Sequence, residues 1–272
     1  MNSNFKVGIT SDFYVDAKGR FEDPVQHKLG NVPGLAFDAM PPQPGKTATL
    51  ASADEYDAIF ALAVKFTRAS VEGAKRLTVI ARWGVGYDMI DVDALTDNDI
   101  ALAITPNAVR RPVAESIFAF IFALSKNLME QDRITRAGKW RPSLSRLGTC
   151  LPGRVLGSIG CGNIGREMFK LAAPFGFSRL IAFDPFCPSD VARSVGVELV
   201  SIEEVFAASD FVTINCLLNE STKGLVDERL LRMMKPTAFL INTARGPIVD
   251  QRALTRALQE RWILGAGLDV FE

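Results

Sequence analysis

The residues with the most legible chemistry lie in the run Gly160-Cys161-Gly162-Asn163-Ile164-Gly165. Glycines are common, so GxGxxG alone says little. Here the run follows an apolar strand, Val155–Gly160, and opens a helix over Arg166 to Ala173, the context that makes a dinucleotide site. Gly160 permits a tight turn, Gly162 lets the backbone approach a pyrophosphate, and Gly165 lets the helix pack close on the strand. The helix start adds free N–H groups and partial positive charge for the phosphates. Asp184 ends the next strand, where a carboxylate can accept hydrogen bonds from ribose hydroxyls and repels a 2′-phosphate. Pro185-Phe186-Cys187 follow it with no arginine to welcome that phosphate. The cofactor implied is NAD rather than NADP. The plainer alternative, that Asp184 only caps the turn before Pro185, is disfavoured by strand, glycines and acid all being in register.

Such a site needs a parallel sheet to carry it, and the chain after Gly153 alternates strands and helices in that rhythm. Strands are expected at Val155–Gly160, Leu180–Asp184, Val197–Val200, Phe211–Cys216, Ala238–Thr243 and Gly265–Phe271, which predicts a doubly wound α/β sheet of order 3-2-1-4-5-6. Before it, Lys6–Thr10, Asp57–Ala61, Leu77–Arg82 and Ile100–Thr105 read as strands of a smaller α/β domain. The proline-rich stretch Asn31 to Lys46 reads as an irregular surface loop. The division expected is 1–105 and 106–272. A helix is predicted to start near Pro112, a good first-turn residue, and to run to about Arg136. Its middle, Ile117 to Leu124, is apolar nearly all round, so it is buried either inside one subunit or against a second.

Composition narrows the classes. Of 272 residues, 31 are basic and 31 acidic, which argues against nucleic acid as an obligatory partner. The four cysteines form no CxxC pair and the chain has one histidine, so no metal site is expected. Scattered cysteines suggest a reducing compartment. No signal peptide is read in Met1 to Thr10, and the longest apolar run is too short to span a bilayer. Together these point to a cytoplasmic protein that meets no membrane.

From about Ala61 onward the sequence resembles the D-isomer-specific 2-hydroxyacid dehydrogenases. The markers are Arg82-Trp83-Gly84-Val85-Gly86-Tyr87-Asp88-Met89-Ile90-Asp91, Val113-Ala114-Glu115, Gly138-Lys139-Trp140, the glycine run, Asn242-Thr243-Ala244-Arg245-Gly246-Pro247-Ile248-Val249-Asp250, and Gly265-Ala266-Gly267-Leu268-Asp269-Val270-Phe271. The resemblance implies a Rossmann NAD domain and a flavodoxin-like substrate domain, interconverting a small D-2-hydroxy acid and its 2-keto acid by hydride transfer. It makes Arg245 the catalytic arginine that binds the keto acid and polarises its carbonyl, a role suited to a guanidinium fork. An arginine there can also cap a helix or pair with Asp250. Gly84, Val85 and Gly86 are expected to form a nest of N–H groups for the substrate carboxylate. Asn163 and Ile164 are expected to bracket the pyrophosphate. Cys216, Leu217 and Thr222 are assigned to the loop beside the cofactor's far half, Thr243 and Ala244 to the nicotinamide side, and Asp269 to its carboxamide. Where Leu217 stands the family usually has proline. The apolar loop Ala61-Leu62-Ala63-Val64 replaces the arginines of phosphate-handling relatives and counts against a phosphorylated substrate. Of the two alternatives for the apolar helix, burial against a second subunit leads to the expectation of a homodimer through helix 113–136.

In the family a Glu five positions past the Asp269 equivalent orients a His that protonates the carbonyl oxygen. Both positions fall beyond Glu272, and His27, long before the glycine run, reads as an ordinary surface residue. A positioned general acid is worth roughly two to four orders of magnitude in rate. The expectation is therefore a chain that binds NAD and turns over slowly or not at all. The other readings are an NAD-binding regulatory protein without catalysis, and an inactive gene remnant.

Overall fold

The computed structural model describes residues 5–16 and 22–272; Met1 to Asn4, part of the run read for a leader, lie outside them. The chain divides into two compact units, Met1–Val109 and Arg110–Glu272.

The first unit is built on five parallel strands: β1 (Phe5–Ile9), β2 (Leu35–Ala39), β3 (Ala58–Ala61), β4 (Val79–Arg82) and β5 (Ala101–Ala103). They lie in the order β2-β1-β3-β4-β5, the flavodoxin-like arrangement. Strand β2 corrects the expected loop over Asn31 to Lys46. It is an edge strand in which only Leu35 and Phe37 lean on the sheet while Ala36, Asp38 and Ala39 stay exposed. Its apolar signal is therefore faint, and Pro33 and Pro41 bound it without interrupting its ladder. Phe13 stacks on both Phe60 and Trp83, at centroid distances of 4.6 and 5.1 Å. His27 lies exposed on the helix Glu22–Leu29.

The second unit holds six parallel strands: β6 (Val155–Ile159), β7 (Arg179–Phe183), β8 (Glu198–Leu199), β9 (Phe211–Ile214), β10 (Phe239–Asn242) and β11 (Gly265–Leu268). Their order, β11-β10-β9-β6-β7-β8, is the predicted 3-2-1-4-5-6 read from the other edge. The central strands are apolar at almost every position because both faces are covered. On β10, Leu240 joins the core formed with Val212, Ile214 and Leu254, while Phe239 and Ile241 face Phe211, Phe169 and Ile121 on the opposite side.

The predicted helix from Pro112 to Arg136 is two helices, Pro106–Ser125 and Leu128–Arg136, bent by 59°. The break has a local cause. Asn127 takes a left-handed conformation (φ 56°), which asparagine tolerates, and the Ser125 carbonyl accepts from Thr149 N–H at 2.7 Å instead of continuing the ladder. Pro112 sits inside the first helix rather than at its start. Ala114, Ile117, Phe118 and Ile121 are buried in the unit's own core, and a Cβ on Gly267 would meet the Phe120 ring at 2.7 Å. Burial within one subunit thus accounts for much of the helix's apolar girth. Among the described residues, no single helix is long and apolar enough to cross a membrane.

Leu240 is fully buried at the centre of the second sheet. Leu240→Ala is expected to lower unfolding free energy by about 2–5 kcal/mol, read from urea unfolding followed by circular dichroism.

Candidate active site

In a parallel sheet every strand hands its chain to a loop at the same edge. Here the register makes those hand-overs level: Ile159 pairs with Phe183 and Ile214, Asn242 with Ile214, and Leu268 with Asn242. The residues that follow are Gly160, Asp184, Asn215, Thr243 and Asp269. Most of the second unit's predicted site residues therefore share one edge, where ligands bind in open α/β sheets.

The glycine elbow has three separate spatial demands. Gly160 has φ +98°, and a Cβ there would lie 2.8 Å from the Asn215 carbonyl. A Cβ on Gly165 would meet the Gly160 carbonyl oxygen at 2.7 Å. Gly162 is different: a Cβ there meets nothing within 4 Å. It precedes the helix Asn163–Ala172, where N–H groups are free to bind an anion. Side chains are thus excluded at Gly160 and Gly165 by the protein itself, whereas the space over Gly162 is open, as a dinucleotide pyrophosphate requires. Asn163 is exposed beside it and accepts from Arg166 Nη2 at 2.9 Å, and Ile164 is half-buried in the helix's first turn.

Asp184 combines both readings made of it. One carboxylate oxygen accepts from the N–H groups of Phe186 and Cys187, at 2.9 and 3.1 Å, capping the turn. The other accepts from Cys161 N–H at 2.8 Å, which ties the acid to the glycine elbow one strand away. A carboxylate has about four acceptor positions, so three backbone donors leave capacity for a ribose hydroxyl. Burial, with Cys187 and Asp184 alongside, pushes the Cys161 thiol up to about 12. Burial likewise pushes Cys216 up to about 11. Both are held as neutral thiols.

On the other side of the elbow, the loop after β9 is braced internally. Thr222 Oγ1 donates to the Leu217 carbonyl at 2.6 Å and accepts from Asn219 N–H at 2.9 Å. Leu217 is 55% exposed despite its apolar side chain. Thr243 Oγ1 is buried with no partner among the described residues, a polar atom suited to a ligand amide. Ala244 and Arg245 are half-buried in the turn that follows, and Asp269 is exposed at the end of β11. Arg245 Nη1 donates to the Ala244 carbonyl at 2.7 Å. Asp250 is committed elsewhere, capping the helix Gln251–Gln259 through the N–H groups of Arg252 and Ala253.

In the first unit, Gly84 has φ +142° and its N–H goes to Thr105 Oγ1 at 2.9 Å. It shapes the nest rather than supplying a donor. Val85 and Gly86 follow it half-exposed, and among the described residues their N–H groups meet no acceptor.

Sequence reasoning missed Thr105, Asn215 and Asn242. Asn215 Nδ2 donates to Ser158 Oγ and Thr213 Oγ1, at 2.9 and 3.0 Å, while Ser158 donates to the Gly160 carbonyl at 2.6 Å. This buried network braces the elbow from behind. The legible signal was an asparagine at each of two adjacent strand ends.

A doubly wound parallel sheet with a glycine elbow, an acid tied to that elbow and an arginine at the same edge defines a nicotinamide-dinucleotide dehydrogenase domain. Residues 118–272 match the NAD binding domain of the D-isomer specific 2-hydroxyacid dehydrogenases, and the chain belongs to that family of oxidoreductases. It is similar to the glyoxylate reductase of Korarchaeum cryptofilum, 39% identical over 233 residues, covering 84% of this chain and 70% of the relative. The D-lactate dehydrogenase of Aquifex aeolicus, solved with NAD and lactic acid, superposes with TM-score 0.85 at 27% identity, over 98% of this chain and 77% of that one. A glyoxylate reductase from Paecilomyes thermophila gives TM-score 0.82 at 29% identity, over 98% and 82%. These relatives favour an oxidoreductase over a non-catalytic sensor or an inactive remnant.

The glycines yield opposite expectations. Gly160→Ala is strained and collides with backbone, so it should destabilise the unit by roughly 1–3 kcal/mol or more. Gly162→Ala should leave the melting temperature within about 1 °C, yet weaken NADH binding about tenfold or more by crowding the pyrophosphate approach. Differential scanning fluorimetry and NADH fluorescence titration separate the two.

Proposed function

We propose that this chain is an NAD-dependent reductase of a small, unphosphorylated 2-keto acid of the glyoxylate class, with the D-2-hydroxy acid as product. The level register of the strand ends carries the reading, because it gathers the elbow, Asp184, Thr243 and Asp269 along one edge with Arg245 in the same turn. NADH, when bound, would supply the hydride to the carbonyl carbon, and water the proton to the carbonyl oxygen. Gly160, Gly162, Asn163, Ile164 and Gly165 hold its pyrophosphate, and Asp184 its adenosine ribose. Cys216, Leu217, Thr222, Thr243 and Ala244 flank the nicotinamide half, and Asp269 takes the carboxamide. Arg245 binds the keto acid and draws charge toward its carbonyl oxygen, while Gly84 shapes the turn from which Val85 and Gly86 present N–H groups to the carboxylate.

The first unit supports an unphosphorylated substrate. Ala61 and Val64 are buried. The intervening N–H groups are already used, Leu62 on Thr10 Oγ1 at 3.2 Å and Ala63 on the Asp12 carboxylate at 2.6 Å. A phosphate dianion brought to this loop meets a fixed carboxylate, and Ala61 to Val64 themselves offer it no arginine. On domain roles, 1–105 acts on the substrate and 106–272 on the cofactor. Four free cysteines suit a reducing cytoplasm.

NADH oxidation followed at 340 nm with glyoxylate, hydroxypyruvate, pyruvate and phosphohydroxypyruvate tests the reading. Glyoxylate is expected to be the best acceptor, the phosphorylated acid the worst, and NADH to bind at least about tenfold tighter than NADPH. Arg245→Ala is expected to lower kcat/KM by about 10²–10³. No NADH binding at millimolar concentration would falsify the proposal.

The chain is also proposed to form a homodimer through the 113–136 region. The helix Leu128–Arg136 buries none of its residues, and Met129, Trp140 and Leu147 near it are each at least 70% exposed. Exposed large apolar side chains so near in sequence are proposed to belong to that interface. Sedimentation equilibrium should show a dimer that Trp140→Asp with Leu147→Asp converts to monomer; a monomeric wild type at 10–50 micromolar, roughly the range of such runs, overturns it.

A further inference from the structure

Asn242 is 1% exposed at the end of β10, and each of its polar groups has a separate task. Its side-chain oxygen accepts from Ala244 N–H at 3.0 Å. Its side-chain nitrogen donates to the Arg245 carbonyl at 2.9 Å. Its backbone carbonyl accepts from Asp269 N–H at 3.0 Å, across the β10–β11 ladder. One buried residue therefore grips the three positions to which the reaction is assigned: Ala244 beside the nicotinamide, Arg245 on the keto acid, and Asp269 on the carboxamide.

The amide has a specific advantage here. The turn Thr243–Arg245 leaves a strand and reaches a short helix at Gly246–Ile248, so its backbone groups have left the sheet ladder, and the Arg245 carbonyl meets the short helix only through a long contact with Ile248 N–H at 3.4 Å. Ala244 offers an N–H and Arg245 a C=O within two residues. Satisfying both from one side chain takes a donor and an acceptor on one planar group, which the amide of asparagine or glutamine supplies without depending on a protonation state. A carboxylate matches the first partner and repels the second. The short asparagine stem, buried on all sides, leaves Arg245 few backbone alternatives. Arg245 adopts extended backbone angles (φ −149°, ψ 139°), which aim its side chain from a fixed root.

We propose that Asn242 is a positioning residue for the reaction, acting through Arg245: it clamps the turn so that the guanidinium is held where the keto acid binds. This rests on the assignment of Arg245 to the substrate.

The test uses equilibrium binding to the whole chain. ADP-ribose probes the glycine elbow, NADH the whole cofactor site, and oxalate, added to the NADH complex, the keto-acid site. Arg245→Ala is expected to weaken oxalate about 100-fold and Asn242→Ala about tenfold, while the double variant falls within about threefold of Arg245→Ala alone, because the two act as one unit. ADP-ribose affinity should stay within about twofold throughout. Asn242→Asp, which keeps an acceptor for Ala244 N–H but opposes the Arg245 carbonyl, should also lose oxalate while keeping ADP-ribose, and it decides the matter if the alanine variant fails to fold. The inference is overturned if either Asn242 variant binds oxalate like wild type, if the two losses multiply, or if ADP-ribose weakens in step with oxalate. Wild type that binds NADH but no oxalate sinks the substrate assignment itself, a separate failure.

Discussion

The constraint on which this molecule depends is the level register of parallel strands in its second unit. Parallel pairing requires each strand to be followed by a crossover, and right-handed crossovers send every connection back over a face of the sheet. All loops leaving the carboxyl ends then share one edge. With Phe183, Ile159, Ile214, Asn242 and Leu268 paired side by side, residues that lie far apart in the chain become lateral neighbours. A slip of one residue in any pair would turn its side chains to the opposite face and move a site residue out of line. The apolar packing on both faces of β9 and β10 resists that slip, because Val212 and Leu240 belong to one core and Phe211 and Ile241 to the other. Core packing is thus the source of site precision.

That scaffold explains why the same edge collects buried and half-buried polar groups. Ser158, Thr213, Asn215 and Asn242 sit at or one residue from the ladder ends, beyond which backbone groups need new partners. Hydroxyls and amides fill those needs, and each bond to the backbone fixes a loop: Ser158 the Gly160 carbonyl, Asn242 the Arg245 turn. Each such bond is worth only about 0.5–1.5 kcal/mol net. Its larger effect is on geometry, since a buried amide whose partners move is left unsatisfied. The elbow is held in a similar double manner, by steric exclusion at Gly160 and Gly165 and by the Asp184 carboxylate on Cys161 N–H.

Much of this was legible in the order of residues, for physical reasons that differ by element. The central strands of the second unit are buried on both faces, so their apolar runs are unbroken and their order follows from the crossover rule. The glycine run was legible because three distinct spatial demands fall at fixed spacing. Strand β2 was obscured by its edge position: half its side chains face solvent, so composition there is that of a loop. The bend at Asn127 was hidden because Leu128–Arg136 continues a helical composition, and the break comes from a tertiary bond, Thr149 N–H on the Ser125 carbonyl. Gly84 was legible as part of a nest, but its donor is used by Thr105, a partner twenty-one residues away that no local pattern marks.

The harder residues to find were those that act on backbone. Asn242 and Arg245 occupy one short motif, and the charged residue drew the chemical reading. Yet an arginine has many rotamers and loses considerable conformational freedom when ordered. Its charge alone cannot place a planar acid within hydrogen-bonding distance; a fixed root can. Hydrogen bonds to the backbone at Ala244 and Arg245 shorten the list of accessible conformations before any ligand arrives, so less of the electrostatic attraction is consumed in ordering the side chain. Under the proposed assignment, affinity comes from the arginine and its realised magnitude from the asparagine beneath it. The same division holds at the glycine elbow, where Gly162 presents the open approach while half-buried Asn215 and buried Ser158, both uncharged, brace the elbow from behind.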